Sequence, residues 1–420
     1  MSKAAQTARL DSVNTASHTE HLLMLFMNDT RIARPRTRPV RLSRTMLPAI
    51  FCLVCLPLFV ARPISGQQRK ATANFDVLAK QAGDAKDGDR LDEAVALYRQ
   101  ALKLKPKWAE GWWSLGTIEY DRNNYASAAS DFRKLIPLAP KDGMALVMLG
   151  LCEFELGQDT PALKDLREGR ALGVANDPQL QEVVFYHEGM LLLRAGQFKV
   201  AQTSFATLCK MNIRSDKVME GMGMAVLRIL PTELPSAGST SLVIVQRAGS
   251  AACLSTLKKF DQANQEYTQL ISDAPDFPNI HYAFGLSLLE ANNASKALEQ
   301  FKSEIKNNPK SVAARLEIAA SFYKVDSSAG LPYAQEAVNL SPQQPFAHYL
   351  LGLLLLDTNQ YQKAIPELEI AAKAFPKEKR IFFALGSAYA RAGRSQDATK
   401  ARATFAQLNK ESQSDSSTTY

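Results

Sequence analysis

Small residues recur with a period of 34 along most of this chain. The pattern divides residues 75 to 409 into nine windows, which begin at Phe75, Ala109, Gly143, Glu182, Ile244, Pro278, Val312, Pro345 and Lys379. Position 20 of a window is alanine in eight of the nine windows, and position 8 is glycine or alanine throughout. A period of 20 to 50 residues that holds over many copies indicates a repeat protein, in which each copy folds into the same supersecondary unit.

The apolar positions inside each window predict two helices. Apolar or small residues at positions 4, 7, 8 and 11 share one face of a first helix, and those at positions 20, 24 and 27 share one face of a second. A proline near position 32 ends the second helix, as at Pro106, Pro140 and Pro309. A single hairpin cannot bury its apolar stripe, so we expect an all-α stack of about eight to nine hairpins.

The second window carries a resemblance to the tetratricopeptide repeat family. Its residues match that family's signature at seven positions, namely Trp112, Leu115, Gly116, Tyr120, Ala128, Phe132 and Pro140. The resemblance implies a right-handed solenoid, with windows one to four in residues 72–215 and windows five to nine in residues 244–409. Gln81-Ala82 in the first window and Arg402 in the ninth depart from the signature, as expected for polar caps.

Residues 216–243 fit no window. They begin with a predicted helix over residues 217–230 and continue into a loop that contains Pro231, Pro235 and Gly238. One interpretation is a degenerate hairpin whose second helix has become a loop. The alternative is a hinge, or a segment that folds back into the groove, since long irregular segments are often functional. After the last window, residues 410–420 are predicted to be a polar, disordered tail.

Residues 1–71 form a basic leader. Eleven of the 50 basic side chains but three of the 42 acidic ones lie in residues 1–70, so the remaining chain is neutral and carries no charge that favours nucleic acid. Residues 46–61 are uncharged and follow six arginines, as in a signal peptide. We therefore expect export to a bacterial periplasm, or anchorage at the periplasmic face of the inner membrane if the leader stays uncleaved. Contact with the membrane is expected only through this uncleaved leader. A transit peptide is the less favoured alternative.

The sequence predicts no catalytic, metal or cofactor site. The five histidines form no metal-binding pair, and His281 and His348 both occupy position 4, where core residues are expected. Cys152, Cys209 and Cys253 are scattered over three windows, so we expect separate, buried, apolar side chains rather than a disulfide framework. Glycine-rich phosphate loops and nucleophile elbows are also missing, and the sequence therefore predicts a protein without enzymatic activity.

The resemblance also implies that positions 2, 5, 9 and 12 of the first helices face a concave groove. Aromatic residues are frequent at positions 5 and 12, and the predicted partner-binding residues are Trp113, Tyr120, Phe154, Tyr186, Tyr282, Tyr323, Tyr349 and Phe383. Tyrosine favours interfaces because its hydroxyl keeps contact with water. The other interpretation is that part of this stripe packs between neighbouring first helices.

An aromatic groove predicts a non-catalytic scaffold or adaptor that binds an apolar or amphipathic segment of a protein or peptide partner. Envelope assembly, in which the groove holds an apolar ligand or a nascent outer-membrane protein, and homo-oligomerisation remain alternatives. Family members that capture acidic C-terminal peptides use lysine and asparagine at positions 5 and 9. Here those positions hold residues such as Trp113 and Thr117, so that mode of binding is not expected.

Overall fold

The computed structural model describes residues 66–173 and 178–417. Their regular structure is helical, with one short 3-10 turn at Pro231–Glu233. The described residues fall into two compact units, residues 66–187 and 188–417, and the change from one to the other lies inside a helix rather than at residues 216–243.

The first unit contains three complete helix hairpins. Its helices are α1 Gly66–Asp87, α2 Leu91–Leu104, α3 Ala109–Asp121, α4 Tyr125–Leu135, α5 Gly143–Glu155, α6 Asp159–Ala171 and the first part of α7 Pro178–Arg194. These helices pair into hairpins over windows one to three, and α1 begins before the first residue of its window.

The second unit continues the same pattern. It contains the rest of α7, then α8 Phe198–Lys210, α9 Asp216–Leu227, α10 Thr240–Thr256, α11 Phe260–Asp273, α12 Ile280–Glu290, α13 Ala294–Asn307, α14 Val312–Phe322, α15 Ser327–Leu340, α16 Pro345–Asp357, α17 Tyr361–Ala374, α18 Lys379–Arg391 and α19 Ser395–Ser417. Consecutive helices pack against each other, and α14, α16 and α18, the first helices of three successive hairpins, are also in contact. The predicted all-α fold class is confirmed.

The two helices of a hairpin meet where position 8 faces position 24. A Cβ atom placed on Gly116 would lie 2.8 Å from the Phe132 ring, and one on Gly189 would lie 2.6 Å from Phe205. Both rings are fully buried. In these two hairpins the ring at position 24 therefore fills the space that glycine leaves, and a larger residue at Gly116 or Gly189 would push the helices apart.

The turn inside each hairpin has a constant conformation. In eight of the nine described hairpins, position 15 has a positive φ, which glycine, asparagine and aspartate adopt most readily. These residues are Asp89, Asn123, Gly157, Gly196, Lys258, Asn292, Asn359 and Gly393. In the seventh hairpin the positive φ occurs two residues earlier, at Lys324, because α14 ends at Phe322.

An ion pair of the first unit repeats with the same period as the helices. Arg99 donates to Glu119 at 2.7 Å, and Arg133 donates to Glu153 at 2.7 Å, 34 residues further along. Both glutamates are buried. Burial raises the pKa of Glu153, although the hydrogen bond from Arg133 acts in the opposite direction. Each pair joins the second helix of one hairpin to the first helix of the next.

Residues 216–243, which break the sequence period, contribute a buried helix to the second unit. Helix α9 is buried along most of its length and lies between α8 and α10. A Cβ on Gly223 would overlap the backbone carbonyl of Val245, and one on Gly249 would overlap that of Met219. At the end of α9, the Asn279 side chain donates to the Leu227 carbonyl at 2.9 Å. The predicted helix over residues 217–230 is observed at Asp216–Leu227.

The expectation that the cysteines of the repeat region are separate buried residues is wrong for two of them. Cys209 on α8 and Cys253 on α10 form a disulfide, with their Cα atoms 5.7 Å apart. The bond joins the two helices that flank α9. The repeat pattern does not predict this pairing, because α9 lies outside every window. Cys152 is buried and unbonded.

The two ends of the chain differ in what the structure shows. Helix α19 continues to Ser417, so residues 410–417 are helical rather than disordered, and Lys379 binds Asn409 at 2.8 Å and Ser412 at 3.0 Å. The tail lacks proline and glycine, which allows the helix to continue. Residues 1–65 of the leader lie outside the described residues. Within residues 66–173 and 178–417, no helix has the length and hydropathy required to cross a bilayer.

Substitution Gly223→Ala should lower the free energy of unfolding by about 1–3 kcal/mol, towards the upper end of that range. The methyl group of the alanine would meet the backbone of Val245, which cannot rotate away as a side chain can. Gly83→Ala, inside α1 with open space around its Cβ, is the matched control and should be neutral or stabilising. Urea denaturation followed by circular dichroism compares them. Equal effects of the two substitutions would contradict the close packing of α9 on α10.

Loss of the Cys209–Cys253 disulfide should cost about 2–4 kcal/mol, because the bond spans 44 residues of the unfolded chain. A reductant should lower the denaturation midpoint of the natural chain but leave the Cys209→Ser/Cys253→Ser variant unchanged. Non-reducing peptide mapping should recover the two cysteines in one linked fragment. Recovery of both as free thiols from protein kept under oxidising conditions would contradict the bond.

Candidate functional site

Three of the predicted partner-binding residues come together in the second unit. Tyr323, Tyr349 and Phe383 line a cavity with a volume of about 540 Å³. Tyr323 follows the end of α14, whereas Tyr349 lies on α16 and Phe383 on α18. The cavity is therefore formed by the first helices of three consecutive hairpins, as the groove prediction requires. Its size falls in the range of ligand pockets in proteins.

The interior of the cavity is apolar. Tyr349 is 2% exposed, and Leu353, Leu356 and Ala384 complete the lining beside it. Phe383 differs from these residues, because it is 62% exposed. Its ring lies 5.5 Å from the Phe405 ring between centroids, with the two ring planes tilted by 55°. A large aromatic side chain that remains exposed beside an apolar cavity is typical of an interaction surface.

Charged residues surround the opening. Lys324 forms an ion pair with Asp357, which also accepts a hydrogen bond from Ser327 at 2.6 Å. Burial acts to raise the pKa of Asp357, but these hydrogen bonds outweigh it and lower the pKa. The carboxylate therefore stays ionised at neutral pH and holds the Lys324 ammonium at the edge of the cavity.

Two arginines complete the charged edge. Arg380 donates to both carboxylate oxygens of Glu378, at 2.8 and 3.1 Å. Arg391 donates to the Tyr361 hydroxyl at 3.1 Å and lies over its ring at 5.5 Å. Lys324, Arg380 and Arg391 thus outnumber the one acidic residue of the lining, Asp357.

Four predicted partner-binding residues, Trp113, Tyr120, Phe154 and Tyr186, belong to the first unit. All four are half-buried. Trp113 packs edge-on against Phe132, with centroids 5.8 Å apart, and so supports the hairpin core. Tyr120 contacts Tyr125 at 5.4 Å, and burial, with the charge of Glu155, raises its pKa to about 12.

Phe154 and Tyr186 of the first unit share a histidine neighbour. The His187 ring makes edge contacts with Phe154 at 4.7 Å and with Tyr186 at 5.4 Å. His187 Nδ1 lies 2.6 Å from the Val183 carbonyl oxygen, which orients the ring. These residues form a small aromatic cluster between α5 and α7.

Tyr282 is part of the core rather than of an exposed stripe. It is 7% exposed, lies 6.0 Å from the Phe301 ring, and burial raises the pKa of its hydroxyl. Tyr282 and Tyr349, which the groove prediction placed on the binding surface, are therefore buried side chains whose hydroxyls have little access to water. Neighbouring first helices pack side by side, so position 5 faces an adjacent helix as well as the groove.

The charged residues around the cavity were not predicted as site residues. Arg380 occupies position 2, which the groove prediction includes, so its sequence position carried a usable signal. Arg391 and Lys324 occupy position 13, one residue beyond the groove positions. The early turn at Lys324 places that side chain near the cavity. In the described part of the chain, no group of three or more histidine, cysteine or acidic residues could hold a metal ion.

Comparison with known proteins agrees with the repeat pattern. The family profile described as tetratricopeptide repeat matches residues 80–143, 256–312, 282–345 and 349–408. Superkiller protein 3 of Schizosaccharomyces pombe is 24% identical over 340 residues, a match that includes 78% of this chain. The chain spans 22% of that protein's length.

Solved structures of MamA are also similar. One MamA crystal structure has 21% sequence identity and a TM-score of 0.37, with 39% of this chain and 96% of that chain covered. The structure of MamA from residue 41 onwards, from Desulfovibrio magneticus RS-1, has 21% identity and a TM-score of 0.36, with the same coverage of each chain.

The substitutions Tyr349→Glu and Phe383→Asp should lower stability by very different amounts. A carboxylate at buried position 349 should cost about 3–5 kcal/mol, whereas one at exposed position 383 should cost about 0.5 kcal/mol or less. Urea denaturation of each variant measures the difference. Similar losses in the two variants would mean that Phe383 belongs to the core, and the cavity would then lose its exposed aromatic residue.

Proposed function

Because the chain belongs to the tetratricopeptide repeat family, we propose that it is a non-catalytic scaffold that binds an apolar or amphipathic segment of a partner protein. The binding site in this proposal is the cavity between α14, α16 and α18. The observation that carries it is the exposure of Phe383, at 62%, directly beside an apolar cavity. Large exposed aromatic side chains next to such cavities are typical centres of binding energy.

The physical basis of binding is the removal of apolar surface from water. The lining offers the rings of Tyr323 and Phe383 together with aliphatic side chains on α16. Burial contributes about 25 cal/mol for each Å² of apolar surface covered. Because α14, α16 and α18 are held by their own hairpins, the site is formed before the partner arrives, which lowers the entropic cost of association.

We further propose that the protein acts outside the cytosol, in a bacterial periplasm or at the periplasmic face of the inner membrane. Two observations support this location. Residues 46–61 have the composition of a signal segment. The disulfide between Cys209 and Cys253 is of a kind that forms and persists in oxidising compartments.

A second candidate is an envelope assembly factor that holds an apolar ligand or a nascent outer-membrane protein. The cavity volume of about 540 Å³ favours it, since this volume also suits a small apolar molecule. Extraction of the purified protein with organic solvent, followed by mass spectrometry, would detect such a ligand. Self-association is the third candidate, and light scattering measures it.

Substitution Phe383→Asp should abolish partner capture. The 420-residue chain serves as bait for cross-linked capture from native envelope extract, beside Phe383→Asp and the control Ile370→Asp. Ile370 lies on α17 and is 42% exposed, so the control substitution introduces the same charge at another exposed apolar position. We expect a partner that the natural chain and the control retain and that Phe383→Asp loses. Equal retention by all three baits would contradict the proposed site.

A further inference from the structure

We propose that the occupant of this cavity is a short extended segment that carries a large apolar side chain and, three or four residues away, an aspartate or glutamate whose carboxylate binds Arg391. This inference rests on the proposed function and specifies its partner. The apolar side chain would contact Phe383 and fill the cavity. The acidic residue would reach the far end of α18.

The charge balance of the lining favours an acidic partner. Of its three cations, Lys324 is paired with Asp357, and Arg380 is held by both oxygens of Glu378. Arg391 is exposed and donates its hydrogen bond to the uncharged hydroxyl of Tyr361, and its charge also helps to lower the pKa of Asp357. Asp357 already accepts hydrogen bonds from Lys324 and Ser327. An incoming carboxylate would therefore find its strongest attraction at Arg391.

The spacing along α18 sets the distance between the two anchors. Phe383, Ser387 and Arg391 line the cavity at intervals of four residues, so they form one row on the helix surface. Eight residues of helix separate Phe383 from Arg391 by about 12 Å. An extended peptide covers that distance in three or four residues at about 3.3 Å each.

The position of Ser387, midway along this row, favours an extended segment over a helix. An extended backbone presents unbonded N–H groups to a hydroxyl acceptor, whereas a helix bonds most of its own N–H groups internally. An extended segment places one large side chain inside while its backbone crosses the opening, and the Ser387 hydroxyl, which donates to the Phe383 carbonyl at 3.1 Å, keeps its oxygen available as an acceptor.

Selection from a library of short, linear, random displayed peptides tests the proposal. The baits are the natural chain, Arg391→Gln, Arg391→Lys, Phe383→Asp and the control Lys373→Gln, which removes an exposed charge from α17. Circular dichroism verifies the fold of each bait. For the natural chain and the control, we expect peptides rich in large apolar residues, with aspartate or glutamate enriched about two- to fivefold three or four residues away, as an exposed ion pair provides.

The variants separate this inference from the proposed function. Arg391→Gln should select the same apolar residues without the acidic preference, and Arg391→Lys should retain that preference. Apolar peptides without an acidic preference from the natural chain, or the same preference from Arg391→Gln, would overturn the inference and leave the proposed function standing. If Phe383→Asp selects the same peptides as the natural chain, or if no apolar peptide is selected, the cavity is not the binding site and both proposals fail.

Discussion

The close approach of two helix backbones at position 8 is the constraint on which this structure depends. Glycine at this position lets the position-24 side chain lie against the backbone of the first helix, as at Gly116 and Phe132. That contact fixes the distance between the two helices of each hairpin. Because consecutive hairpins keep this separation, α14, α16 and α18 lie side by side, and side chains from windows seven, eight and nine line one cavity.

The segment that breaks the sequence period obeys the same constraint in a stricter form. In an ordinary hairpin a flexible side chain fills the space above glycine, whereas between α9 and α10 backbone carbonyls lie against Gly223 and Gly249. The Cys209–Cys253 bond joins the two helices on either side of α9, and Asn279 holds its last turn from α12. Continuity through the irregular region thus rests on backbone contacts and a covalent bond, since the repeat pattern itself is absent there.

The fold was predictable from the sequence because the 34-residue period of small and apolar positions follows from the way the helices pack. Small residues at positions 8 and 20 indicated the helix hairpins, although α1, α7 and α10 begin before the first residues of their windows. The exposure of the site residues was not predictable in the same way. Tyr349 and Phe383 share position 5 but differ in burial, since Tyr349 has a first helix on each side and Phe383 lies on the last one. The disulfide depended on contacts around α9 that no window described.

The early turn of the seventh hairpin has a consequence for how this protein can change. Repeat arrays evolve by duplicating, deleting and exchanging whole units, and most hairpins here share a turn that would tolerate such exchange. The seventh does not, because its turn at Lys324 ends α14 two residues early and brings the ammonium to Asp357 of the following hairpin. Replacing it with a standard copy would keep the stack intact and yet erase one side of the cavity. The seventh hairpin, which is the least regular one, is therefore the hairpin whose exchange, in evolution or in design, would most directly remove the cavity.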